Sequence, residues 1–434
     1  MPWHVIAQIG PDEYLPDLAT EEPRFVASID KPGSRYSITQ QLLSQVLEKG
    51  LIPSETAMDL VHLAVIVYTA DLRIWRGYSE DGWAREITLH VPVSQPGMWN
   101  EASPVLSELL SFLTGDHWTV LFRPKVPNTP MTPGEAPVPP PQAVCLFSGG
   151  LDSFVGALDL LATGAHVVLV GHYGTKRDQT SVFEALKAKY DPQMLPFWFY
   201  VLPPKTHKDQ EVESTMRARS FLFLSLGTAV ATALAPGAPL YVPENGFISL
   251  NIPLTFARAG THSTRTTHPY TLDLFRRVLA ALGINVILKA PYRFVTKGEM
   301  LRDCKDQEIL KAAVHNTISC SSPQAGRFHG RPVGQHCGYC VPCIIRRAAL
   351  HAVGLDCEPC HLDVRDCSIE AKTAAGADKR AFLMAITRVR QMTSLEITSE
   401  ILSVGPMNAG EIDDLAAVFK RGLEEVDLFL KSCV

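Results

Sequence analysis

The segment from Ala143 to Leu161, AVCLFSGGLDSFVGALDLL, constrains this chain more than any other stretch. Its opening apolar run is too short for a helix and reads as a buried strand, and the residues after the glycines carry helical apolar spacing. A strand, a glycine turn and a helix start in that order define one α/β unit. The two glycines remove the Cβ atoms that would keep an anion away. The first helical turn also presents unpaired amides and the positive end of the helix dipole. No lysine follows the glycines, so this is not the phosphate loop of Walker nucleoside triphosphatases. The same residues also suit a ligand-free glycine turn with an Asp or Ser helix cap.

The alternation continues downstream. HVVLVGHY, FWFYVL, PLYVPENG and INVILKAPY read as strands, with helices through Tyr190, over Arg217 to Leu234 and over Leu272 to Leu282. This pattern predicts a parallel sheet and an α/β core over 143–353. Upstream, Pro124 to Gln142 contains eight prolines, which exclude helix and sheet interiors and mark 124–142 as a linker. Residues 1–123 are expected to form an α+β domain that binds or positions a partner. Within it, two strand-like runs flank the turn SEDG between Asp71 and Val93, and a short helix and a strand fill Pro104 to Pro124. Residues 354–434 read as amphipathic helices.

Lys plus Arg number 40 against 45 Asp plus Glu, a net charge of -5. The chain therefore has no global attraction for nucleic acid, and none is expected as a partner. The longest apolar run, Phe221 to Ala235, falls short of the roughly 20 residues of a membrane span and reads as a buried helix. The amino terminus has no secretory pattern. A cytoplasmic protein without a membrane partner is expected.

Ten cysteines in such a chain favour metal or catalytic thiols over disulfides. Cys337, Cys340 and Cys343 converge from one loop, and Cys320 completes an S4 shell suited to structural zinc, with an iron–sulfur cluster or free thiols as alternatives. Cys357, Cys360 and Cys367 form a weaker second group. His329 and His336 lie between the main ligands.

SGGLDS resembles the loop of the adenylating ATP pyrophosphatases. That resemblance implies that Ser148, Gly149, Gly150, Leu151 and Ser153 hold the pyrophosphate of ATP and that Asp152 acts through Mg2+. Taken with CGYCVPCIIRR, HYGTKRD, RARSFLFLSLGTAVA and APYRFVTKGEML, it is similar to the 7-cyano-7-deazaguanine synthase (QueC) family over Ala143 to Val353. That family adenylates 7-carboxy-7-deazaguanine, aminates it and dehydrates the amide to a nitrile. By this resemblance Asp152, Arg219 and Lys297 are catalytic, the two cations neutralising phosphate charge, and zinc is structural.

The chain departs from the family pattern in a long segment before residue 269. Tyr173, Glu244, Asn245, Arg258, Arg265 and His268 are candidate substrate or acceptor residues, and a solvated loop is the alternative for that segment. With its added amino-terminal domain the chain resembles the QueC-like, QatC-type subunits of bacterial antiviral defence operons. This implies conjugation of an activated 7-deazaguanine carboxylate to an amine of a protein partner from the same operon. Synthesis of the free nitrile, a tRNA-modifying adenylase and a non-catalytic nucleotide-sensing scaffold are the alternatives.

Overall fold

The computed structural model describes residues 2–10, 13, 22–29, 36–41, 44–126, 132–172, 176–204, 211–213, 216–255, 265–321, 334–356, 360–366 and 373–432. The first region supplies β1 (Trp3–Ile9), β2 (Arg24–Ile29), β3 (Thr39–Gln41), α1 (Ser44–Glu48), α2 (Glu55–Arg73), β4 (Glu86–Val93), α3 (Pro96–Thr114) and β5 (His117–Pro124). Its sheet has the order β2-β1-β4-β5, and every pairing is parallel.

The expected α+β arrangement is therefore corrected to α/β. Parallel neighbours need long crossovers, and α3 is the crossover from β4 to β5. The expected strand beginning at Asp71 is instead the end of α2 followed by a single 3-10 turn, Arg76–Tyr78. Helix wins there because almost the whole of α2 is buried, Ala57 through Asp71, so its apolar residues face protein on several sides. The SEDG turn does form: Gly82 has φ 67° and Asp81 Oδ1 accepts from the amides of Trp83 and Ala84. α3 starts at Pro96, the favoured place for proline, rather than at Pro104, which lies inside it.

The second region runs β6 (Ala143–Leu146), α4 (Leu151–Leu161), β7 (Val167–His172), α5 (Lys176–Tyr190), β8 (Met194–Leu202), α6 (Arg219–Leu234), β9 (Ala238–Tyr241), α7 (Gly246–Leu250), α8 (Pro269–Ala281) and β10 (Val286–Lys289). These strands agree with the expected core. The sheet order is β10-β9-β6-β7-β8-β3. Five strands are parallel, and β3 of the first region closes one edge antiparallel to β8, with Gln40 opposite Val201.

From β6 the chain moves one way through β7 and β8, then returns to place β9 and β10 on the other side. The strand order thus reverses at β6, and in open α/β sheets ligands bind outside the carboxyl ends of the strands at such a reversal. The SGGLDS turn leaves the carboxyl end of β6.

The remaining helices are α9 (Lys297–Asp303), α10 (Gln307–Ala313), α11 (Val341–Ala352), α12 (Ala374–Gln391), α13 (Ser394–Leu402) and α14 (Ile412–Lys431). One hydrophobic cluster joins both sheets through α2, α3, α6 and α8, including Val5, Leu63, Val144, Phe221 and Phe275. The proline-rich stretch divides the sequence, but packing is continuous across it. A second cluster backs the other face of the larger sheet with α4, α5, α9 and α10. A third joins α7 and α11 to the carboxy-terminal helices through Phe247, Ile344, Phe382 and Phe419.

Candidate active site and metal centre

Phe147 prolongs β6, its N–H donating to the Val170 carbonyl at 2.7 Å. Gly149 then takes φ 80°, a left-handed conformation that side chains disfavour, and Gly150 caps α4. The two serines brace the turn from within: their Oγ atoms are 3.2 Å apart, and Ser153 Oγ donates to the Gly150 carbonyl at 2.9 Å. Outside it, Ile318 N–H donates to Gly149 O at 3.3 Å and Leu151 N–H points to Ser319 Oγ at 3.4 Å. Among the described residues, the N–H groups of Gly149, Asp152 and Ser153 have no acceptor. Three open amides at a helix start suit an anion.

The Asp152 side chain enters a buried polar cluster. Its Oδ1 is 2.7 Å from Lys297 Nζ, and its Oδ2 accepts from Asn245 Nδ2 at 2.7 Å. Burial opposes ionisation of Asp152, but the Lys297 charge and hydrogen bonds from Glu244, Lys297 and Asn245 hold its pKa below the usual value. Burial and the adjacent Asp152 carboxylate push Glu244 well above its usual value, so it stays protonated beside Asp152. Asp152 was expected to act through magnesium. Its Oδ1 faces the Lys297 ammonium and its Oδ2 accepts from Asn245, and no step below is routed through magnesium.

Lys297 opens α9, whose cap Thr296 forms a capping box with Glu299. The carboxy-terminal helix α14 grips this point. Glu425 accepts from Thr296 Oγ1 and from the Gly298 amide, and Arg421 Nε pairs with Glu299 at 2.7 Å.

Arg219 opens α6 near the carboxyl end of β7. The start of α6 is fixed by a charge network belonging to the amino-terminal region. Ala218 N–H donates to Asp71 Oδ2 at 2.9 Å, and Arg85 Nη2 bonds both Asp71 Oδ1 (2.7 Å) and Asp116 Oδ2 (2.6 Å). Arg76 forks onto Asp116 at 2.7 and 3.0 Å, and Arg217 bonds the Thr114 carbonyl while stacking on Trp83. Neither this network nor the α14 clamp was foreseen from sequence, since their members lie far apart in the chain without a local motif.

The four expected cysteines do converge. The Sγ atoms of Cys320, Cys337, Cys340 and Cys343 all lie within 4.8 Å of one another, with Cys320–Cys340 at 3.9 Å and Cys337–Cys343 at 3.8 Å. Zn–S bonds of about 2.3 Å in a tetrahedron place sulfurs about 3.8 Å apart, so the cluster can hold a metal ion such as zinc. Gly338 makes the knuckle possible: its φ is 86°, and a Cβ would lie 2.0 Å from the Leu362 carbonyl. Cys320 directly follows Ile318 and Ser319, the residues that touch the glycine turn, and His336 Nε2 accepts from the Ser319 amide at 3.2 Å. The cluster thus anchors the segment lying against that turn.

The other candidate residues divide. Glu244 and Asn245 join Asp152. Arg265 and His268 do not: Arg265 stacks on Phe112 of α3 and bonds its carbonyl at 3.0 Å. His268 caps α8 against the same ring, and burial pushes its pKa down to about 3. These two residues tie α8 to the first region. Tyr173, Arg258, His329, Cys357 and Cys367 lie outside the described residues, and Cys360 lies 3.7 Å from Arg347 Nη1. A cleft of about 370 Å³ lined by Tyr270, Arg276, Arg293 and Glu411 includes no residue of the turn.

Among the described residues, no helix is long and apolar enough to cross a membrane. No family model matches the chain, and neither the curated proteins nor the solved structures compared with it give a match.

Proposed function

We propose that the chain is an ATP-dependent carbon–nitrogen ligase that adenylates a 7-deazaguanine carboxylate and passes the acyl group to an amine, in antiviral defence an amine of a partner protein. The observation that carries this reading is the set of open amides of Gly149, Asp152 and Ser153 at the strand-order reversal. They suit the β and γ phosphates of ATP. A substrate carboxylate oxygen attacks the α phosphorus and pyrophosphate leaves. The amine nitrogen then attacks the acyl carbon, AMP departs and the nitrogen loses a proton, forming an amide. A carboxylate is a poor acyl donor because oxide leaves badly, and AMP is a far better leaving group.

In this reading the amides and Arg219 receive charge on the departing pyrophosphate. Asp152 acts as a positioning residue that holds Lys297, whose charge offsets that of the phosphates. Zinc, bound by the four cysteines, is a structural cross-link with no open coordination position, and it keeps Ile318 and Ser319 against the turn.

The test is incubation with ATP, magnesium and 7-carboxy-7-deazaguanine, with and without a candidate partner from the same operon, followed by nucleotide analysis and intact mass. AMP with a mass gain on the partner supports conjugation. AMP with free amide or nitrile assigns small-molecule synthesis. No AMP in either case overturns adenylation of this substrate.

A further inference from the structure

Arg219, half-buried at the start of α6, is bonded unlike the buried arginines. Arg76, Arg85 and Arg347 bond carboxylates, and Arg346 bonds Thr317 and the Val314 carbonyl. Among the described residues the Arg219 side chain has no hydrogen bond or ion pair; its Nε is buried without a partner, and its guanidinium lies 5.4 Å from the Phe223 ring. Burial accordingly lowers its pKa. A sheltered guanidinium without an acceptor is costly, and an oxyanion ligand relieves that cost with charge-assisted hydrogen bonds.

A second underused donor lies beside it. Tyr68 of α2 is 5 % exposed, and among the described residues its hydroxyl meets only a weak acceptor, Met216 Sδ at 3.8 Å. Met216 O in turn accepts from Arg219 N–H, so the phenol and the guanidinium flank one short stretch of backbone. The Tyr68 ring lies 5.8 Å edge-on to His172, the last residue of β7, and His172 lies 5.8 Å from Phe223. β7 is the strand beside β6, so this cluster and the glycine turn lie at the carboxyl ends of neighbouring strands. Burial raises the Tyr68 pKa, keeping its proton available, and lowers His172 to about 4, leaving that ring neutral at pH 7.

We propose that Tyr68 and Arg219 form one oxyanion subsite, the Tyr68 hydroxyl donating to a ligand carboxylate or phosphate oxygen, so that the amino-terminal region contributes a ligand-contacting residue to the candidate active site. The subsite rests on the adenylation reading only for which anion it takes.

The test is calorimetric binding to the full chain with two probes, inorganic pyrophosphate and 7-carboxy-7-deazaguanine. Tyr68→Phe removes one oxygen and keeps the ring. It is expected to weaken one probe by roughly ten-fold or more, as for loss of a hydrogen bond to a charged group. Arg219→Met abolishes binding of the same probe, and the probe affected tells phosphate from carboxylate. Met216→Leu removes only the present acceptor of the hydroxyl and leaves affinity unchanged. Wild-type affinity for both probes in Tyr68→Phe, an equal loss in Met216→Leu, or no binding of either probe to the wild type would overturn the subsite. AMP release is measured separately, so binding without AMP formation sinks the ligase reading and leaves the subsite standing.

Discussion

Removing one partner of the Asp152–Lys297 pair leaves the other charge buried. The side chains are 8 % and 4 % exposed and meet at 2.7 Å. At an effective dielectric of about 20 the gross attraction is about 6 kcal/mol, and desolvation opposes much of it. The larger effect is the stranded charge, which costs about 3–5 kcal/mol. Lys297→Met is expected to fall in that range. Asp152→Ala is expected at its lower end, because Glu244 is raised in part by the Asp152 carboxylate and can ionise to take over Lys297. Adding Glu244→Gln to Asp152→Ala should then increase the loss. The double variant Asp152→Ala/Lys297→Met strands neither charge, so its cost should fall short of the sum by at least about 2 kcal/mol. Equilibrium urea unfolding of the three variants against wild type supplies the cycle. Additive losses, or single variants within about 0.5 kcal/mol of wild type, would refute the claim that this pair is a buried, coupled unit.

Glu244 holds a proton in the folded chain at pH values where the unfolded chain has lost it, so stability falls as pH rises from the ordinary carboxylate range toward the raised native pKa. Glu244→Gln should flatten that fall, read from unfolding across pH, and an unchanged slope would contradict it. Elemental analysis of purified protein should find about one metal ion per chain at the four-cysteine cluster, and Cys340→Ser should lose it with a lowered melting temperature. Metal-free wild type with an unchanged melting temperature would contradict this. Arg85→Met leaves Asp71 and Asp116 each short of a cation and should cost about 3 kcal/mol in urea unfolding; a neutral result would remove the network from the account of how α6 is held.

The sequence by itself determined the strand–turn–helix unit at 143–161, the parallel alternation that follows it and the convergence of Cys337, Cys340 and Cys343. Each depends on neighbours within a few residues: glycine conformations, helical periodicity and two-residue thiol spacing. The tertiary structure decided the rest. Asp71 caps α6 from 147 residues away, Glu425 grips the start of α9 from 129 residues away, and β3 completes a sheet that begins a hundred residues later. The amino-terminal sheet became parallel because its helices serve as crossovers, whereas the local pattern there suggested two strands flanking the SEDG turn. Arg265 and His268 packed on Phe112, a choice set by which surfaces met. Long-range pairs carry no local signature: a carboxylate that caps a distant helix has the same sequence context as a solvated one until packing excludes water around it.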